Sequence, residues 1–339
     1  MAKLFSPHRD PLFNEPVEPA WPASLTRPSA ELIYLDLNHW INLAKADSGH
    51  PGGEPFKQSL FALRAARRER RALFPLSATH YMEVAKIKDP KQRRQIAKIM
   101  EELSDLACLT SPFNLRFAEL TAALDRHMSV HTPLAEFSLI GSGVGFAFGF
   151  DLEIDHPTEM KILSGPRDEE VPELRAKGWN IESFIGSIHK RAADHQAFAD
   201  SLDSSWRKGR MRDIVSTRDF LSERMMIALA LVRREHSFDE IFPAHEDDLV
   251  LFRSLARAMP SLETSVLLQC RVYSQPQSRW TINTVFDIDA LSVAVPYCDV
   301  VLTDGEFAHA VQAAKLDRTM GTKILQNLQA LCNHLRNHS

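Results

Sequence analysis

The sequence predicts an α/β protein built on a central parallel sheet and interrupted by a long, mostly helical insertion. Three observations lead to this fold class. Short apolar runs, "LIYLDL" (residues 32–37), "ALFPLS" (72–77) and "DVVLTD" (299–304), have the length of strands buried on both faces. Segments with helical periodicity follow them, and strands alternating with helices imply parallel pairing. This texture occupies both ends of the chain and lapses between them, so one α/β domain encloses the helical segment.

Residues 1–30 hold six prolines and read as an extended arm. Residues 31–110 form the first part of the α/β domain. There "LIYLDL" is a strand and "NHWINLAKA" continues as a helix; "DSGHPGGEP" (47–55) is a loop and "FKQSLFALRAARRERR" an amphipathic helix with a basic end. "ALFPLS" is the second strand. "SATHYMEVAKI" is a helix capped by Ser77 or Thr79, and the next helix starts with Asp89 at the cap and Pro90 just inside. Residues 111–279 read as a mostly helical insertion, with helices over 181–203, 216–234 and 246–273 and an irregular, glycine-containing stretch before them. The glycines of "GSGVGF" lack the strand-to-helix setting of a phosphate-binding fingerprint and read as a loop. Residues 280–339 complete the domain: helix "NTVFDIDALSVAVPYCD", strand "DVVLTD", helix "GEFAHAVQAAKL", short strand "TKILQN" and helix "LQALCNHL".

Of the 339 residues, 44% are hydrophobic and 25% charged, with a net charge of -4. This is a globular composition, and it does not mark a general nucleic-acid coat protein. The four cysteines (Cys108, Cys270, Cys298, Cys332) have no zinc spacing and suit a reducing cytoplasm. No apolar run has the length of a membrane span, and the N-terminus lacks a signal-peptide core, so the expectation is a cytoplasmic protein without membrane contact.

The acids carry the chemistry. Asp36 and Asp304 each end an apolar strand, and in open parallel sheets ligands bind beyond the carboxyl ends of the strands. Glu83 and Asp289 could reach the same edge from their helices, with Asp287 a competitor two residues before Asp289. Four such carboxylates repel one another unless a cation neutralises them, and oxygen-only ligands favour Mg²⁺ or Mn²⁺. Each of these acids also has a plainer role: Asp36 and Asp304 as helix caps, Glu83 as a solvated helix residue. Asp299 starts its strand and belongs at the opposite end of the sheet. His39, His80 and His309 lie near helix starts, where packing roles are commoner than catalytic ones.

This order resembles the PIN-domain nuclease family. The first acid stands in Asp36-Leu37-Asn38, the glutamate in "LSATHYME" at Glu83, the third acid in "DALSVAV" at Asp289, and the last in Thr303-Asp304 of "VLTDGEF". The resemblance covers residues 31–107 and 280–339. It departs from the family in the length of the intervening segment and in one residue missing between Thr303 and the last acid. It implies a PIN-like three-layer fold and Mg²⁺- or Mn²⁺-dependent hydrolysis of RNA. Asp36, Glu83, Asp289 and Asp304 would be catalytic, with Asp36, Asp289 and Asp304 on the metal and Asn38, Thr303 and Asp287 in support. A toxin, a defence effector and an RNA-processing enzyme look alike at this level.

Two other classes stand beside it. Phosphatases of the haloacid-dehalogenase type also open on an apolar strand and Asp, but need a second Asp where this chain has Asn38. A catalytically inactive PIN-like module that binds RNA or protein is the non-enzymatic alternative. The basic runs 64–71, 88–98 and 205–213 are candidate phosphate contacts, or else solvated helix faces. Trp206, Arg207, Lys208 and Arg210 form the best RNA-contact candidate, because Trp206 adds a stacking surface. The insertion is the expected place for substrate selection, an inhibitory protein partner or a homodimer contact.

Overall fold

A computed structural model describes residues 18–132, 136–150, 154–165, 179–202, 211–233, 248–275 and 277–337. Its strands are β1 Leu25–Thr26, β2 Glu31–Leu35, β3 Ala72–Leu73, β4 Ala107–Leu109, β5 Phe137–Ser138, β6 Ile140–Ser142, β7 Val300–Leu302 and β8 Lys323–Leu325. The first helices are α1 Leu37–Asp47, α2 Lys57–Arg68, α3 Ala78–Lys86, α4 Pro90–Ser104 and α5 Pro112–Met128. Then come α6 Gly143–Phe148, α7 His156–Leu163, α8 Ile181–Ser201, α9 Met211–Ser222, α10 Arg224–Val232, α11 Asp248–Ala258 and α12 Pro260–Tyr273. The last are α13 Ile282–Tyr297, α14 Gly305–Ala313, α15 Leu316–Met320 and α16 Leu328–Asn337.

The protein is α/β, as its sequence texture implies. The central sheet has the order β3-β2-β7-β8, and every pair in it is parallel. Four consecutive residues of β2, Leu32 to Leu35, are buried. Successive strand residues point to opposite faces, so both faces of this strand are covered. Helices α1, α2, α4 and α16 pack among themselves, as do α8, α12 and α13.

The "ALFPLS" run holds less ladder than a six-residue strand. Pro75 has no N–H to offer, so pairing to β2 stops at Ala72–Leu73. It resumes at Leu76, whose N–H and C=O pair with Ala107 and Leu109 of β4, both at 2.8 Å. Strand β4 was not foreseen; β6 adds to it antiparallel. The loop expected over 47–55 instead begins with the end of α1 and a 3₁₀ turn at Pro51–Phe56. The "GSGVGF" loop is likewise corrected: it starts α6. Gly143 has φ +78, and a Cβ there would meet Glu159 Oε2 at 2.8 Å, so glycine lets the helix begin against a buried carboxylate. The helix expected over 246–273 divides at Met259–Pro260, where proline cannot continue the hydrogen-bond ladder. α9 and α10 adjoin at Glu223.

The described end of the N-terminal arm is tied to the helical segment. Ala20 N–H donates to Ala258 O (2.7 Å), and Arg126 holds the carbonyls of Glu18 and Pro19 (2.6 and 2.8 Å). β1 then pairs with β5. Glu119 on α5 is fully buried and joins three helices. It accepts from Ser261 N–H (2.9 Å) and Ser261 Oγ–H (2.6 Å) at the start of α12, and from Tyr297 O–H (2.6 Å) at the end of α13. One contiguous buried core runs from the sheet into these helices. Among the described residues, no helix is long and apolar enough to cross a membrane.

Removing the Glu119 carboxylate leaves three buried donors without an acceptor. Each lost partner of this kind costs about 1–3 kcal/mol. Glu119→Leu is therefore expected to lower the unfolding free energy by about 3 kcal/mol or more. Urea denaturation followed by circular dichroism reads this as a fall in midpoint, and an unchanged midpoint would contradict the bonding described.

Candidate active site

The strand order places the site. From β2 the chain goes first to β3 on one side and much later to β7 and β8 on the other. The order thus reverses between β2 and β7, and the connections leaving their carboxyl ends diverge to leave a crevice. Asp36 follows β2 directly, and Asp304 follows β7 after Thr303. The Asp36 N–H donates to Leu302 O (3.0 Å), which extends the β2–β7 pairing to the residue that bears the carboxylate.

Asp36 occupies the N-cap of α1, yet its side chain makes no capping hydrogen bond. The main chain closes the turn instead, with His39 N–H on Asp36 O at 2.9 Å. Asp304 does cap: its Oδ1 accepts from Phe307 N–H at 2.9 Å. Of the two capping roles weighed for these strand-end acids, only that of Asp304 is present.

The carbonyl just before Asp36 is held from two sides. Leu35 O accepts from Trp40 Nε1–H (3.0 Å) and from His80 Nε2 (2.8 Å). His80 Nδ1 accepts from Ser77 N–H (3.0 Å), which leaves the ring hydrogen on Nε2 to donate to Leu35. Burial pushes the His80 pKa down to about 4, so the ring is neutral at pH 7. Tyr34 stacks on the same ring at 5.1 Å. His80 thereby ties α3, which bears Glu83, to the strand that delivers Asp36. Sequence reasoning set this histidine aside; its only signal was a place three residues before Glu83, on the same helical face.

An open cavity of ≈ 420 Å³ lies at this edge, lined by Asp36, Leu37, Asn38, Glu83, Lys86, Ile87, Asn283, Asp287 and Asp304. Asp36, Glu83 and Asp304 thus line one cavity. The third acid is corrected: Asp287 of α13 lines the cavity, whereas Asp289 is bound by Arg191 of α8 through two bonds of 2.6 and 2.8 Å. Two residues along a helix turn a side chain by about 200°. One acid of "DID" therefore faces the cavity and the other faces α8. Lys86 and Asn283 are further wall residues that sequence reasoning missed. They stand three residues after Glu83 and four before Asp287, the spacing that shares a helical face.

The carboxylates feel one another. Burial, then Asp304, raises Asp36 to about 6; the Leu37 N–H and the Asn38 side chain oppose this without reversing it. Burial, then Asp36 and Asp287, raises Glu83 to about 8. Burial, then Asp36 and Asp304, raises Asp287 to about 8. Lys86 works against the rise at both Glu83 and Asp287. Two like charges 6 Å apart repel by about 3 kcal/mol at an effective dielectric of ~20, which favours a shared proton or a cation. His39 is buried nearby, with its pKa pushed down to about 4 by burial, and its Nε2 has no partner among the described residues.

An oxygen-only set of four carboxylates fits a hard divalent cation by its chemistry. Among the described residues, no three His, Cys, Asp or Glu side chains stand close enough to form a ready-made metal cage. Mg²⁺ does not need one, since it keeps several waters and is commonly held by one or two carboxylates. Thr303 is buried, and its N–H extends the β7–β8 pairing to Leu325 O (3.2 Å). Asp299 lies at the other end of β7, bound by Arg27 and by the Leu32 N–H.

Of the basic runs, Arg64 is bound by Glu102 and Asp47, Lys98 by Asp47, and Arg93 by the carbonyls of Ile87 and Ser164. These cations serve packing between helices. Trp206, Arg207, Lys208 and Arg210 lie outside the described residues. In comparisons with known proteins, no family model, no curated protein and no solved structure matches this chain.

The carboxyl groups set the pH dependence of stability. Glu83 and Asp287 start from ordinary values of 4.5 and 3.8 and reach about 8 when folded. Between those limits these two groups hold more protons in the folded protein than in the unfolded chain, so their contribution to stability falls as pH rises. Below about pH 6.5 the buried His39 and His80, lowered to about 4, act in the opposite direction; without divalent cations, the thermal midpoint is therefore expected to drop between about pH 6.5 and about pH 8. Glu83→Gln and Asp287→Asn should each flatten the slope. A flat wild-type profile over that range would mean that burial and the neighbouring acids do not raise these carboxyls.

Proposed function

We propose that this chain is a PIN-like nuclease that hydrolyses RNA phosphodiester bonds with Mg²⁺ or Mn²⁺ at the cavity beyond the carboxyl ends of β2 and β7. The observation that carries the reading is the meeting of Asp36, Glu83, Asp287 and Asp304 at the one point of the sheet where strand order reverses. The sequence resemblance of these acids to the PIN-domain pattern supplies the reaction class, with Asp287 in the place first assigned to Asp289.

Asp36, Asp287 and Asp304 present the oxygens that would hold the ion. When bound, the ion supplies the positive charge that draws a phosphate into an acidic cavity and stabilises the leaving oxygen. Asn38 steadies the Asp36 carboxylate in its charged form. Glu83, whose pKa is lifted to about 8, can hold a proton near neutral pH and give it up as charge in the cavity changes. The His80 and Trp40 bonds to Leu35 O hold Asp36 in register with α3.

A second reading, a PIN-like module that binds RNA or protein without cutting, draws on the absence of three side chains at ligating spacing among the described residues. Calorimetry with Mn²⁺ separates the two: a module with no ion and no cleavage fits the second.

Purified protein is expected to cleave single-stranded RNA only with Mg²⁺ or Mn²⁺ present. Asp36→Asn, Asp304→Asn and Asp287→Asn should each lower the rate by at least ~100-fold, the scale of losing several kcal/mol of charge stabilisation. Asp289→Asn should keep most of the rate and instead lower stability, since it weakens the bond to Arg191. Equal rates for wild type and Asp36→Asn would reject the nuclease reading.

A further inference from the structure

Lys86 is the one cationic side chain among the described residues that line the acidic cavity. It ends α3, three residues after Glu83, and its ammonium is held in place from across the cavity. Nζ donates to Asn283 Oδ1 at 2.7 Å and lies 4.6 Å from the centre of the Phe286 ring. Asn283 and Phe286 belong to α13, the helix that carries Asp287. Glu83 and Lys86 on one wall thus face Asp287 and Asn283 on the other, and the Lys86–Asn283 bond joins the two walls.

We propose that Lys86 is a phosphate-contacting residue of this site, the protein's own cation for the RNA strand that enters an otherwise acidic cavity. The inference rests on the nuclease reading above. A polyanion approaching these acids is repelled by those that carry charge, and a divalent ion held by them would neutralise only its own neighbourhood. A cation on the wall gives an adjacent phosphate a foothold. An ammonium on a flexible stem suits this role, because it binds phosphate as a point charge and follows it over a few ångströms. The polar and aromatic anchors on α13 hold that charge over the cavity in the absence of RNA, so little ordering remains to be done on binding. The same charge disfavours a second cation nearby, so Lys86 also weakens the hold on the divalent ion while RNA is absent.

The test is the salt dependence of RNA binding, which a purely structural lysine would not move. A short fluorescent single-stranded RNA is titrated by anisotropy over a range of salt, with Mn²⁺ present, in the full chain carrying Asp36→Asn to prevent cleavage. Lys86→Met should reduce the slope of log affinity against log salt by about 0.7, the value for one phosphate contact on a single strand. Lys86→Arg should restore it. In calorimetry without RNA, Lys86→Met on the otherwise wild-type chain should bind Mn²⁺ about threefold more tightly, from removal of one nearby positive charge. RNA binding with an unchanged slope in Lys86→Met would overturn the inference and leave the nuclease reading standing. A wild-type chain that binds neither Mn²⁺ nor RNA would overturn both.

Discussion

Acidic side chains gathered at one edge of the sheet, most of them drawn away from solvent, are the constraint on which the rest of this structure depends. Two neighbouring parallel strands end side by side, and each ends in an aspartate; two helices then add a glutamate and another aspartate to the same space. None of the three acids with raised pKa values has an ion-pairing partner close enough to reverse the effect of burial. Three acids outside the cavity do have such partners. Asp289 has Arg191, Asp47 has Arg64 and Lys98, and Asp299 has Arg27. Perturbed acids gathered in one cavity are a mark of candidate functional sites.

Such a gathering has to be held by something other than the acids themselves. The carbonyl of Leu35, one residue before Asp36, accepts from both an indole and an imidazole, and the imidazole is anchored in turn by the Ser77 N–H. Two buried hydrogen bonds of this kind contribute about 1–3 kcal/mol together, enough to fix a strand end against the repulsion beside it. The Asp36 side chain makes no cap bond across the first turn of α1, and the residue lines the cavity. Asp304 combines both roles, with Oδ1 on the Phe307 N–H while the residue lines the cavity.

The helical segment also bears on the site. Glu119 of α5 accepts from Tyr297, near the carboxyl end of α13, and Arg191 of α8 holds Asp289 on that same helix. Helix α13 is therefore oriented by residues from the middle of the chain, and its rotation decides which acid of "DID" meets Asp36. Lys86 and Asn283 close the wall at the other end of the contact between α3 and α13.

The amino-acid sequence determined what purely local rules can reach. Apolar runs followed by helical periodicity marked β2, β7 and the parallel character of the sheet. An acid at the end of such a run marked Asp36 and Asp304, because strand ends at one edge need no knowledge of neighbours. Asp89 and Pro90 marked the start of α4 for the same reason. Tertiary structure alone decided the rest. The rotation of α13 chose Asp287 over Asp289, since helical spacing puts the two on different faces without saying which face is inward. The pairing of Leu76 with Cys108 of β4, a contact between residues 32 apart in the chain, took over where Pro75 ended the ladder to β2. The packing of Gly143 against Glu159 turned an apparent loop into a helix start. Each of these depends on a partner distant in sequence, and such partners leave no periodic trace in the segment they act upon.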